Sequence, residues 1–161
     1  CESLCNAYAE EKNISIKALR LAQTFGPGIQ DSDSRIYVQF ARSVIEKRDI
    51  ELLTKGDSEG NYVYIADAVS AILLLLTKGE SGIFNVVNES THMTIHDMAQ
   101  LVAHEIAQDT ISVQIHVDSE KNKIYPPAIR LQLSAAKLRD LGWKANIGLA
   151  EAYCRLIDWL K

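Results

Sequence analysis

One stretch constrains the chain more than any other: Leu19-Arg20-Leu21-Ala22-Gln23-Thr24-Phe25-Gly26-Pro27-Gly28. Ile14 to Ala22 first alternates and then turns continuously apolar, the pattern of a strand buried in a sheet. It runs straight into a Gly-Pro-Gly turn. In open α/β sheets ligands sit beyond the carboxyl ends of the strands, so this strand end is the first candidate binding site.

The flanking sequence supplies the helices such a sheet needs. Leu4, Ala7 and Tyr8 share one helical face, with Asn13 as a stop. Asp31-Ser32-Asp33-Ser34 has helix-cap chemistry, and Ile36, Phe40, Val44 and Ile45 form the predicted buried stripe of the next helix. Ile50–Thr54 and Tyr62–Ile65 read as short strands around a Lys55–Asn61 turn. Asp67 opens an apolar helix that Gly79 ends. Ile83–Val87 is a buried strand. Thr94 is an N-cap with Asp97 three residues on, for a helix running to about Ala107. Ser112–Val117 is a late strand, Ser134 caps a helix to Leu141, and Leu149–Leu160 is the last helix, with Trp143 and Trp159 expected to anchor the C-terminal helices. Strands alternating with helices predict an α/β fold. They are too short and uneven for a complete doubly wound domain.

Composition removes several classes of function. The chain has 161 residues, 47 % of them apolar, which predicts one domain with a real core. A net charge of −4 without a basic run argues against nucleic acid. The longest apolar run, Ala71–Leu76, falls far short of the roughly 20 residues that cross a bilayer, so no membrane partner is expected. No signal peptide is visible, and three cysteines (Cys1, Cys5, Cys154) make no disulfide framework. Reduced thiols and a cytoplasmic location are the expectation. His92 and His96 are four apart, but His92 precedes the cap at Thr94 and no third ligand is evident, so no metal is expected. There is no Gly-rich dinucleotide loop and no Tyr-x-x-x-Lys pair.

Five segments, taken in order, resemble the C-terminal half of the extended short-chain dehydrogenase/reductases, the NAD-dependent nucleotide-sugar epimerases and dehydratases. Glu2 through Tyr8 is similar to the end of the helix that carries the catalytic Tyr and Lys. Arg20 to Gly28 resembles the Arg-x-x-Asn-x-x-Gly-Pro-Gly strand and turn. Tyr62-Val63-Tyr64-Ile65-Ala66-Asp67 resembles the Tyr-Val-x-Asp join. Gly82 to Asn88, with the helix from Thr94, resembles the Asn-rich strand and its helix. Arg130 to Trp143 resembles the closing Arg-x-x-x-x-Ser-x-x-Lys segment.

The resemblance implies the last strands of a Rossmann-type sheet (residues 1–30) followed by a small α/β substrate lobe (31–161), with the dinucleotide-binding half absent. Catalytic Tyr and Lys would fall just before Cys1, so no catalytic residue is expected within the chain. NAD is the implied cofactor, held mainly by the other half, with Leu21 and Ala22 lining the nicotinamide pocket; the ribose-reading residues that would exclude NADP lie in that half too. Gln23 stands where the family has Asn and would contact a nucleotide-sugar substrate through its amide. Arg35 and Arg130 would grip the nucleotide; a guanidinium takes a phosphate through two parallel hydrogen bonds, and Arg at a helix N-terminus is unfavourable unless a ligand uses it. Gly60 departs from the phosphate-binding Arg of many relatives, with Arg35, Arg42 or Lys55 as candidate substitutes. Asp67 is assigned a structural, N-cap role.

The expectation is therefore the substrate-binding part of an epimerase or dehydratase, inactive alone. A bare strand edge left at Ile14–Ala22 predicts self-association, and the family implies a homodimer. The alternatives are a stand-alone, non-catalytic module that binds a nucleotide or a protein, and a sugar-nucleotide reductase or sensor that has lost its chemistry.

Overall fold

A computed structural model of the chain describes residues 1–30, 32–78, 80–117 and 126–161. It is α/β. In chain order the elements are α1 (Glu2–Lys12), β1 (Lys17–Leu21), β2 (Gln23–Phe25), α2 (Ile36–Glu46), β3 (Ile50–Leu52), β4 (Glu59–Tyr64), α3 (Ile65–Lys78), β5 (Gly82–Val86), β6 (Asn88–Thr94), α4 (Ile95–Leu101) running into a π-helical turn at Val102–Ile106, β7 (Val113–Ile115), α5 (Ala136–Asp140) and α6 (Leu149–Leu160). β1 pairs in parallel with β5. β4 lies between β2, parallel to it, and β6, antiparallel. β3 pairs in parallel with β7. Among the described residues no helix is long and apolar enough to cross a membrane.

β4 divides the interior. Successive side chains on a strand point to opposite faces, and here both faces are buried. Tyr62 and Tyr64 enter one core with Phe25, Tyr37, Phe40 and Tyr153. Val63 enters the other with Ala22, Ala71, Leu75, Val86 and Trp143. The β4–β6 register slips between Gly60 and Tyr62, and Thr91 repairs the ladder there: its hydroxyl accepts from the Tyr62 amide at 2.8 Å.

Local chemistry explains most element ends. Asn13 ends α1 in the left-handed conformation, which its short side chain tolerates. The Thr94 hydroxyl accepts from the Asp97 amide at 3.0 Å, the predicted cap. Several expectations need correction. The predicted Ile14–Ala22 strand is β1 alone, and Ala22 separates it from β2. The predicted turn over Lys55–Asn61 stops at Ser58, before β4 begins at Glu59, and β6 is a strand the sequence pattern does not announce. α2 buries Tyr37, Val38, Phe40 and Ala41, and the other predicted stripe residues, Ile36, Val44 and Ile45, are half-buried against the same core. α1 buries nothing, and Leu4 is 74 % exposed. Trp143 is buried, its indole N–H donating to Ser70 Oγ at 2.9 Å. Trp159 is 48 % exposed, and Leu156 and Ile157 anchor α6 instead. Ser134 caps α5 from one residue further out than the N-cap position, which Ala135 holds: the Ser134 hydroxyl accepts from the Ala136 amide at 3.3 Å. Asp31 and Gly79, read as cap and stop, lie outside the described residues.

Two carboxylates tie the C-terminal segment to the sheet. Asp67, 4 % exposed, is not an N-cap: α3 begins two residues earlier, and Asp67 Oδ2 accepts from the amides of Asn146 and Ile147 at 3.1 and 2.9 Å. Glu89 accepts from the Ala135 amide at 2.9 Å and pairs with Arg139. The Arg139 guanidinium is the main reason its carboxyl is pulled down to about 2.

Replacing Asp67 by Ala leaves the half-buried Ile147 amide and the Asn146 amide without this acceptor, and the expected loss is roughly 1–3 kcal/mol in urea unfolding. Glu89 makes a second prediction. Its folded-state pKa lies below the unfolded value of about 4.3, so its contribution is complete above that value and is lost as pH falls toward 2. The urea midpoint should fall over that interval, and Glu89→Gln should flatten the fall.

Candidate functional site

β2 ends in the Gly26-Pro27-Gly28 turn, and a cavity of about 400 Å³ opens there, lined among others by Thr24, Gly26, Gly28, Asp33, Arg35 and Ile65. Gly26 makes it possible. Its φ is 153°, and a Cβ at this position would lie 2.5 Å from Ile65 Cγ2. Only glycine lets the turn approach the first residue of α3 this closely.

Arg35 forms the charged wall. Its guanidinium takes the Asp33 carboxylate through both Nε and Nη2, at 2.9 and 2.5 Å, and the Asp33 Oδ1 also accepts from the Arg35 amide at 2.9 Å. The Arg35 Cζ lies 4.9 Å from the centre of the Tyr37 ring, a cation–π distance. Tyr37 in turn stacks on Phe25, centroids 4.9 Å apart, and donates to the Thr24 carbonyl at 3.4 Å. Arg35 is thus held from two sides, with Asp33 as its built-in anion. The Arg35 hydrogen bonds hold the Asp33 carboxyl below its ordinary range.

The phenols beneath are neutral. Burial pushes Tyr37 and Tyr62 up to about 12, and Tyr153 further. Tyr153 is fully buried and its hydroxyl has no hydrogen-bond partner among the described residues. No ring in this cluster is a proton acceptor near neutral pH. The arrangement can bind and orient a ligand; it holds no activated base.

The other predicted residues are dispersed. Gln23 is exposed and registers with Tyr62 of β4, outside the cavity lining. Leu21 is 49 % exposed, so plain core strand does not describe it; Ala22 is buried and its amide donates to the Val86 carbonyl at 3.0 Å. Arg130 is exposed and lies opposite Glu59 at the start of the same strand β4. Leu131, beside it, donates its amide to the Glu59 carbonyl at 3.3 Å. Gly60 is roomy: a Cβ there would meet nothing nearer than the Leu131 carbonyl at 4.0 Å. His92 lies on β6 and His96 on α4, and among the described residues no three His, Cys, Asp or Glu side chains gather as a metal set. Asp33 and Tyr37 were missed as site residues. The Asp33-x-Arg35 spacing was the signal for the first; nothing in the sequence announced the second.

The profile of the NAD dependent epimerase/dehydratase family matches residues 1–87, more than half of the chain and the whole of the cavity lining. The UDP-glucuronic acid decarboxylase 1 of Danio rerio is 24 % identical over 158 residues, 98 % of this chain and 36 % of that protein. RMD from Pseudomonas aeruginosa, solved with NADPH, superposes with a TM-score of 0.80 at 25 % identity, over 98 % of this chain and 52 % of that one. The UDP-glucose 4-epimerase of Thermus thermophilus, solved with NAD, gives 0.77 at 24 %, over 98 % and 50 %. The chain spans about a third of the matched decarboxylase and half of each solved chain.

Proposed function

The chain belongs to the NAD dependent epimerase/dehydratase family, and from that premise we propose that it is the substrate-binding part of an enzyme acting on a nucleotide sugar. The observation that carries this reading is the cavity at the β2 strand end, every lining residue of which falls within the family match. In this reading residues 1–30 close the cofactor-binding sheet and 31–161 form mainly the substrate lobe. Leu21 and Ala22 face the nicotinamide of NAD, which is held mainly by a dinucleotide-binding half. Gln23 contacts the sugar through its amide. Arg35 releases part of its bond to Asp33 to take a phosphate, and Arg130 takes the nucleotide from the far end of β4.

The chemistry of the family supports a division of labour. NAD, when bound, accepts and returns a hydride at the sugar. The proton at the reacting hydroxyl needs a base, and the described residues of the cavity offer none. Their one carboxylate, Asp33, is kept ionised but occupied by Arg35, above phenols that burial keeps protonated. The role of this part is to bind and orient. Dimerisation and a cytoplasmic setting are further parts of the proposal, supported by the family resemblance alone.

Two measurements test it. Calorimetry with UDP and UDP-sugars is expected to show binding that Arg130→Ala or Arg35→Ala weakens about tenfold, in line with loss of one charge-assisted contact. Gly60→Arg, for which there is room, is expected to tighten it. Equal affinity in all variants would remove these residues from the site. Residues 1–161 with added NAD are also expected to turn over no nucleotide sugar, and measurable product would refute the division of labour.

A further inference from the structure

Glu59, the first residue of β4, has a basic residue on either side of it. Its amide donates to the Ile129 carbonyl at 2.8 Å and its carbonyl accepts from the Leu131 amide at 3.3 Å, which makes Arg130 its neighbour in a parallel bridge. On the other side Glu59 registers with Thr94 of β6. His92, two residues before Thr94, shares the face of Thr94. Registered residues on adjacent strands also share a face. His92, Glu59 and Arg130 therefore stand in a row across β6, β4 and the 129–131 segment.

Neither basic group in the row is satisfied. His92 Nε2 is buried and has no hydrogen-bond partner among the described residues. It lies 4.0 Å from Glu59 Oε2, beyond hydrogen-bond distance but close enough for a small side-chain movement to make the bond. The Arg130 side chain is exposed and has no partner among the described residues. One carboxylate thus has two positions to serve. A buried nitrogen without a partner costs free energy, and a charge-assisted bond satisfies it best. Histidine is also the side chain that changes charge between about pH 5 and 8. The other charged groups on the elements around His92 do not compete for Glu59. His96 Nδ1 lies 3.7 Å from Asp97 Oδ1 on α4, and Glu89 of β6 pairs with Arg139. Lys55 and Asp57, in the turn before β4, join no ion pair among the described residues.

We propose, resting on the nucleotide-sugar reading above, that His92 is a positioning residue for Arg130 and acts through Glu59. Protonated His92 draws the Glu59 carboxylate to its own side and leaves Arg130 open to an anionic group of the nucleotide. Neutral His92 releases the carboxylate to Arg130, whose charge it then cancels. The nucleotide is held more tightly on the acid side of the histidine range.

The first measurement needs no ligand. Proton NMR follows the His92 ring of the chain through its titration. Glu59→Gln is expected to lower the midpoint by about half a pH unit, and Arg130→Ala, which removes the competing cation, to raise it. In the Glu59→Gln background, Arg130→Ala should move it much less. The second measurement is calorimetry with UDP-glucose, whose diphosphate keeps its charge over the histidine range. Its affinity is expected to be about threefold higher at about pH 5.5 than at about pH 8, the counterpart of half a pH unit. His92→Gln should hold it at the weaker value and Glu59→Gln at or above the stronger one, both without the pH slope. A His92 midpoint indifferent to Glu59→Gln overturns the inference. So does a UDP-glucose affinity equal at both pH values, or a slope that survives Glu59→Gln, and both leave the nucleotide-sugar reading intact. A midpoint that follows Glu59 and Arg130 in a chain that binds no UDP-glucose at either pH supports the row and overturns the nucleotide-sugar reading.

Discussion

The structure depends on burying β4 on both faces. Tyr62 and Tyr64 fill one core and Val63 the other, so one short strand holds together two hydrophobic cores. A slip of one residue would exchange the tyrosines with the valine. Phenol-sized side chains do not fit among Ala22, Ala68 and Ala71, and one valine cannot fill the space of two rings. The irregular register at Gly60–Tyr62 sits beside this constraint, and the Thr91 hydroxyl supplies the acceptor the ladder lacks. The two-sided burial also places the candidate site. β2 pairs with β4 from Gln23 to Phe25, so the end of β2 and the start of α3 meet at Gly26.

The electrostatics of the cavity follow from the same packing. Phe25 supports Tyr37, and Tyr37 supports Arg35. Asp33 then neutralises Arg35 across a two-residue step. The outcome is a cation held in place but compensated, in a cavity whose neighbouring phenols stay protonated. Such a site favours a ligand that brings its own negative charge and displaces part of an existing pair. It is poorly equipped for proton transfer.

Much of this was legible in the residues. The Gly-Pro-Gly turn after an apolar strand, the Thr94 cap and the last helix were read at their places, because each rests on local chemistry. The misreadings share a cause. Asp67 has cap chemistry at a helix start, but its carboxylate is taken by the amides of Asn146 and Ile147, about eighty residues away. β6 carries Glu89, Ser90, His92 and Met93, a mixture without strict alternation, and is a strand because β4 offers it a ladder. Periodicity reports which face of a segment is apolar. It does not report whether another element arrives to cover that face.

By itself the sequence determined the α/β class, most of its elements and the strand end at which the cavity opens, since propensity, capping and turn geometry act within a few residues. Tertiary structure alone decided that Tyr37 stacks on Phe25 beneath Arg35, that Gln23 and Arg130 stand outside the cavity, and that the apolar run of α3 presents two faces of which one is bare. Those outcomes depend on contacts between elements distant in the chain, and burial energy is settled only when the partner surface is in place.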